Sequence, residues 1–296
     1  MKKILFTLIL SLVYLSEVFS QQEENIWAFG NHAGLDFSNP SPALSGNNIY
    51  PGWGGTASIC NTSGNLLFYT NGFWVWNSNH EIMPYLTGGI SGYMAPLAPN
   101  IGYPPLMPWN GAHATQATTI ARMPADTNKY FVFSLSTGGQ LYYSIVDMTL
   151  DSGLGDIVPG KKGIVLTSGL TEKLTVVRGC NNIWVVVRAR NSNQYRAFEI
   201  KDTAISTVPV TSNCGNLPIS WYRFGVIKFS ADGTKMAAAC NLNWNSTGGL
   251  ELYDFDVNTG IVSNAQVLDS SSTKAYYYGA CFSADNSKLY ATVSSF

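Results

Sequence analysis

The feature that most constrains this chain is a phrase written twice. Residues 228–241 read KFSADGTKMAAACN and residues 281–294 read CFSADNSKLYATVS, so Phe282 follows Phe229 by 53 residues. Each copy runs through a short apolar stretch, then Phe-Ser-Ala-Asp, a turn residue, and a second apolar stretch opened by Lys. That interval is too long for one hairpin and too short for a domain, so it marks a structural repeat. The turn chemistry is explicit. Asp232-Gly233 and Asp285-Asn286 each join an Asp that can bond its own backbone to a residue that tolerates positive φ. Lys235 and Lys288 keep the bend in solvent, and Phe229 and Phe282 are placed to wedge between neighbouring sheets. The phrase is a fold signal and needs no chemistry.

From residue 55 onward, strand-like runs rich in β-branched and aromatic residues fall into groups of four. TASIC, NLLFYT, FWVWN and HEIMP form the first group. ATTIARM, KYFVFSLS, GQLYYSIVDMT and GDIVP form the second, and KLTVVRG, IWVVVRAR, QYRAFEIK and AISTVPV the third. FGVIKFS, KMAAACN, GLELYDFD and IVSNAQVL complete a fourth, and YYGACFS with KLYATVSS open a fifth. First strands centred on Ser58, Thr119, Val176, Ile227 and Ala280 recur at intervals of 61, 57, 51 and 53 residues. This pattern predicts an all-β fold, a β-propeller of four-stranded antiparallel blades. A β-sandwich would not require four-strand groups that reuse one internal turn. Upstream, NIWAFG, GLDFS and SPALS read as second, third and fourth strands without a first. Downstream, the last blade holds only a first and a second strand. The expected organisation is a propeller domain over 21–296 whose ring is incomplete at its C-terminal end, with a longer product continuing it.

Composition agrees. Charged residues make up 12% and aromatics 13%, against roughly 25% charged in an average soluble domain. A net charge of −1 gives no electrostatic reason to expect a nucleic-acid partner. Lys2, Lys3, the apolar stretch Ile4 to Val18 and the small Ser20 read as a secretory signal peptide over 1–20, and that stretch is short for a membrane span. The expected location is therefore secreted or at the outer cell surface, with no membrane span after signal removal. Export permits disulfides among Cys60, Cys180, Cys214, Cys240 and Cys281. Cys180 and Cys214 flank one repeat and are the first pair to consider, with buried free thiols as the alternative. The spacings contain no CxxC, which argues against a zinc site.

The stretches NIWAFGNHAGLDFS, GNLLFYTNGFWVWNSNHEIMP, LYYSIVDMTLDSGLGDIVPGKK, TEKLTVV, FSADGTKMA and LELYDFDVNTGIVSN, in that order, closely resemble the N-terminal propeller region of large surface proteins of Bacteroidota-type bacteria. These are the gliding-motility-associated, type IX-secreted proteins. The resemblance covers nearly all of the mature chain. It implies a WD40-like or YVTN-like propeller and export to the cell surface or medium.

Candidate sites are few. His32, His80 and His113 all lie in turn-like contexts. No GxSxG elbow, HExxH or phosphate-cradling glycine loop occurs, so no catalytic, cofactor-binding or metal residue is assigned. Asp254 and Asp256 precede Gly260 with Ca²⁺-loop-like spacing, but Ala265 occupies the twelfth position, where a ligand would be required. A plain hairpin turn at Asn258-Thr259-Gly260 is the better reading. The remaining candidate is the Pro-stiffened loop 88–112, where Tyr93, Met94, Tyr103, Met107 and Trp109 could meet a protein or glycan at low entropic cost. The alternative is that it folds back over a blade. Two functions follow: an exported, non-catalytic interaction or adhesion module, or a secreted propeller hydrolase or lyase acting on extracellular carbohydrate.

Overall fold

The computed structural model describes residues 22–49, 54–84, 114–215, 224–240, 249–269 and 276–294. Within them the strands form six antiparallel sheets in chain order. The first holds β1 (Ile26–Ala28), β2 (Ala33–Asp36) and β3 (Ala43–Gly46). The second holds β4 (Ala57–Cys60), β5 (Leu66–Thr70) and β6 (Val75–Asn77), with Trp76 bridging to Ile82. The third holds β7 (Thr118–Met123), β8 (Asp126–Leu135) and β9 (Leu141–Asp147), with β10 (Asp156–Ile157) and β11 (Ile164–Thr167) both paired to β9. The fourth holds β12 (Leu170–Arg178), β13 (Ile183–Ala189) and β14 (Gln194–Lys201), with β15 (Ala204–Ile205) and β16 (Val210–Asn213) both on β14. The fifth is β17 (Ile227–Phe229), β18 (Lys235–Cys240), β19 (Gly249–Asp256) and β20 (Ile261–Asp269). The sixth is β21 (Tyr276–Phe282) and β22 (Leu289–Ser294). The fold is an all-β propeller, as the repeat predicts.

The sheets are joined through apolar layers that successive blades share. Ala28 and Ile49 of the first blade pack on Tyr69 and Trp76 of the second. Phe68 and Val75 meet Val132 and Val146 of the third. Phe131 and Phe133 meet Val185 and Phe198 of the fourth, and Trp184 and Val186 meet Tyr253 and Phe255 of the fifth. Ala237 and Ala239 then receive Ala280, Phe282 and Leu289 of the sixth. Strands buried on both faces must be apolar at nearly every position, and this is why IWVVVRA reads as a continuous run rather than an alternation.

The repeated phrase folds twice into one turn. Ser230 Oγ donates to Asp232 Oδ1 at 2.6 Å, and Asp232 Oδ1 accepts from Thr234 N at 3.0 Å. In the second copy Ser283 Oγ donates to Asp285 Oδ1 at 2.6 Å, and Asp285 Oδ1 accepts from Ser287 N at 3.1 Å. The left-handed position falls on Gly233 (φ 72°) and on Asn286 (φ 59°). The two turns also touch: Ala231 N donates to Asn286 Oδ1 at 2.8 Å, pinning the sixth blade to the fifth. Phe229 lies 4.8 Å from Phe255 at the layer between the fourth and fifth blades.

The structure departs from the sequence reading in three places. The outer strand of the third and fourth blades is broken in two, around Pro159 and Pro209, because proline cannot donate to a ladder. The segment IWA, expected to be a second strand, lies beside β4 as an inner strand: Ser58 Oγ donates to Ile26 O at 2.5 Å and Thr56 Oγ1 to Ala28 O at 2.6 Å. Finally, Cys180 and Cys214 are not joined, and all five cysteines are free thiols. Cys180 sits in the β12–β13 turn, whereas Cys214 follows Asn213, which pairs with Gln194 at the opposite end of the blade. The length of β14 separates them by roughly 20 Å, far beyond the reach of a disulfide.

Candidate functional site

The inner strands β4, β7, β12, β17 and β21 begin at one face of the ring, and that face gathers the buried charges. Its basis is a local irregularity in β12. Leu170 pairs with Ala189 and Leu174 with Val187, so four residues of β12 advance against two of β13. Thr171, Glu172 and Lys173 bulge out of the ladder at the ring centre, as extra residues in an inner strand do. All three are essentially buried, Glu172 at 1% exposure and Lys173 at 0%.

Thr171 Oγ1 donates to Arg188 O of the same blade at 3.1 Å, whereas the other two bulged side chains are engaged by neighbouring blades. Glu172 Oε2 accepts from Thr115 N at 2.8 Å and from Thr115 Oγ1 at 3.1 Å. Lys173 Nζ donates to the carbonyl of Phe224, at the entry to the fifth blade. Beside them, the Gln116 amide stands in for a missing strand partner. Its Oε1 accepts from Leu174 N at 3.2 Å and Ile227 N at 2.9 Å, while its Nε2 donates to Ile227 O at 3.0 Å. One side chain of the third blade thus ties the inner strands of the fourth and fifth. Tyr278 OH of the sixth blade also reaches Thr115 Oγ1, at 3.4 Å.

A second layer lies between the fourth and fifth blades. Arg188 Nη1 donates to Glu251 Oε2 at 3.3 Å and to Cys240 Sγ at 3.4 Å. Tyr253 OH donates to the same Glu251 Oε2 at 2.5 Å, and the guanidinium stands 5.3 Å from the Tyr195 ring centre, within cation–π range. Burial, opposed only in part by neighbouring charges, lowers Lys173 from the ordinary lysine value to about 8. Burial raises the phenols of Tyr195 and Tyr253 well above their ordinary value. Two cations and two carboxylates are therefore packed together, with neutral phenols around them.

This cluster was not assigned from sequence, yet register carries a signal for part of it. Glu251 alternates with Tyr253 and Phe255, and Arg188 with Trp184 and Val186, on the faces where those two blades pack. A charge in step with aromatic core residues is a buried charge. Glu172 and Lys173 gave no such signal, because the bulge breaks the alternation.

The expected binding loop, with Tyr93, Met94, Tyr103, Met107 and Trp109, lies outside the described residues, and so does His113. His32 and His80 occupy turns at positive φ (62° and 65°). His80 Nδ1 lies 3.1 Å from Tyr69 OH, whose pKa burial pushes up to about 12. Asp256 closes the β19–β20 hairpin by accepting from Asn258 N at 2.9 Å and Thr259 Oγ1 at 2.8 Å. Asp254 pairs with Lys235 and accepts from Asn264 Nδ2 at 2.6 Å. Among the described residues, no three His, Cys, Asp or Glu side chains are grouped to hold a metal ion, and no helix is long and apolar enough to cross a membrane.

No protein-family model matches the sequence, and no curated protein does. Solved structures do. The chain is similar in fold to a putative 6-phosphogluconolactonase from Bacteroides fragilis, at 12% identity over 89% of this chain and 71% of that one, with a TM-score of 0.50. A protein from Lactobacillus plantarum matches at 10% identity over 90% and 74% of the two chains, with a TM-score of 0.48. The periplasmic gluconolactonase of Pseudomonas aeruginosa matches at 10% identity over 88% and 69%, with a TM-score of 0.47. At such identities the likeness concerns the fold alone.

Proposed function

We propose that this chain is an exported propeller module that recognises a protein or glycan through the loops of one face and performs no chemistry of its own. The observation that carries this reading is the commitment of the central charges. Glu172, Lys173, Arg188 and Glu251 are nearly inaccessible to solvent and bonded to one another's blades, so they hold the ring together rather than face a substrate. A propeller of closely packed blades is a scaffold for recognition through the segments that connect them. The resemblance of the sequence to gliding-motility-associated, type IX-secreted proteins supports a cell-surface location for such a module. The test is a glycan-array and surface-protein binding screen on the purified chain, followed by replacement of residues 88–112 with a Gly/Ser linker. Binding lost with an unchanged melting temperature supports the reading, and binding that persists overturns the assignment to that loop.

A second reading, a propeller hydrolase acting on a sugar lactone or related carbohydrate, is favoured by Lys173, which burial holds near 8 beside Glu172. It predicts acid release in a pH-stat assay with δ-gluconolactone as probe, lost in Lys173→Met and Glu172→Gln. Turnover that survives both changes excludes this centre as the catalyst.

A further inference from the structure

Two histidines grip one short segment of the first blade. Residues 47–49 follow β3 and carry Ile49 into the layer shared with the second blade, against Tyr69 and Trp76. From the first blade, His32 N donates to Ile49 O at 3.1 Å, and His32 Nδ1 lies 2.9 Å from Asn47 O. From the second, Tyr69 OH accepts from Asn48 N at 2.9 Å, and His80 O accepts from Asn48 Nδ2 at 2.7 Å. Tyr69 OH in turn lies 3.1 Å from His80 Nδ1. His80, half-buried, is presented by a tight turn after β6 in which Asn77 Oδ1 accepts from Asn79 N and Glu81 N.

The direction of these bonds differs between the two histidines. A carbonyl only accepts, so His32 Nδ1 carries a proton toward Asn47 O and keeps that bond whether its ring is neutral or charged. Tyr69 OH already accepts from Asn48 N, and the phenol is fully buried, so its own proton goes to His80 Nδ1. Burial pushes the Tyr69 pKa up to about 12, so that proton stays in place. The bond therefore requires a bare Nδ1 on His80. The other titratable groups around His80 are the exposed Glu81, next in the chain, and His32 across the segment, while residues 47–49 bring none. The layer has little to spare. The buried indole N–H of Trp76, a ring stacked on Tyr69 at 5.3 Å, has no acceptor among the described residues.

We propose that this seam is a proton-operated catch: a proton taken up from solvent at His80 Nδ1 breaks the bond from Tyr69 and releases residues 47–49 from the second blade. If the phenol instead accepts the new N–H, its own proton is stranded in an apolar layer. Releasing the segment lets Tyr69 OH, the Asn48 amide and the Trp76 indole reach water. Opening consumes a proton, so it grows as pH falls through the ordinary histidine range, about 6.5. The inner strand of the first blade stays fastened, because the Ser58 and Thr56 hydroxyls that hold Ile26 O and Ala28 O do not titrate. The catch thus loosens one segment and leaves the blade in place.

The test follows amide exchange by mass spectrometry in peptides spanning Asn48 and Ile49, corrected for the intrinsic rate, in the parent, His80→Asn and His32→Asn chains. Asparagine tolerates the positive φ of both positions, so the turns are kept. Between about pH 7.5 and about pH 5.5, exchange in the parent and in His32→Asn should quicken by about tenfold, the scale of one stranded hydroxyl. His80→Asn should be flat, and β13 should not respond in any of the three. Tyr69→Phe, which removes the proton donor, should lose the step as well. A flat parent overturns the proposal, and so does a step that survives His80→Asn or Tyr69→Phe. A step abolished by His32→Asn overturns the assignment to His80. An equal step in β13 overturns the catch in favour of general loosening by acid.

Discussion

Truncating Glu251 tests whether the buried charges hold the ring together. In Glu251→Ala the Arg188 guanidinium, 2% exposed, loses the carboxylate 3.3 Å away, and Tyr253 OH loses its acceptor at 2.5 Å. Breaking a buried ion pair from one side costs about 3–5 kcal/mol, and an unmatched buried hydroxyl about 1–3. Cys240 and the Tyr195 ring retain part of the cation's surroundings, so a net loss of about 4 kcal/mol is expected. For a chain of this size that lowers the melting temperature by roughly 10 °C. Urea titration followed by tryptophan fluorescence suits the site, because Trp184 packs in the same layer between the fourth and fifth blades. The diagnostic partner is the triple variant Arg188→Met, Glu251→Leu, Tyr253→Phe. If the penalty comes from stranded charge, removing these three polar groups together should recover most of it, to within about 1–2 kcal/mol of the parent. A single variant costing less than about 1 kcal/mol would refute the reasoning, and so would a triple variant as unstable as the single.

Further outcomes follow from the same centre and from the turns. Lys173 is less basic in the folded chain, at about 8, than its ordinary 10.5. Below pH 8 both states carry the charge and the folded state bears its full desolvation cost; between about 8 and 10.5 the unfolded state binds more protons, so stability rises with pH. The gain is at most about 3 kcal/mol. Above pH 10 the neutral phenols Tyr195 and Tyr253 oppose it, so urea midpoints should climb between pH 8 and 10, and Lys173→Met should flatten that rise. Gln116→Leu strands the Leu174 and Ile227 amides and should cost about 2–3 kcal/mol by urea denaturation, whereas a cost near zero would show that the amide tie is dispensable. Asp285 is held down to about 2, chiefly by the Ser283 hydroxyl. A carboxyl NMR titration should place its midpoint there, and Ser283→Ala should move it toward about 4.

Much of this architecture is legible in the residues, because its determinants are local. Asp-Gly and Asp-Asn turns, β-branched runs and their spacing mark the blades, and the hairpin at Asp256 folds as its residues indicate. The centre is harder to read because it depends on which blades face each other. Glu172 and Lys173 sit in LTEKLTVV, where a polar pair in a strand looks solvent-facing. Only the shift between Leu170 and Leu174 turns both inward. The inner position of Ile26–Ala28 was equally hidden, since it rests on Thr56 and Ser58 hydroxyls that any strand could have offered.

The shared apolar layers also bear on how the ring assembles while it is being made. Each layer draws only on two blades consecutive in the chain, so every blade finds its docking surface already present when it emerges. Assembly can then proceed vectorially from the amino-terminal end, without long-range search, and suits a polypeptide delivered as a thread. Until the ring closes, the growing end always shows one apolar sheet face to its surroundings. That moment of greatest stickiness therefore travels with the last blade made.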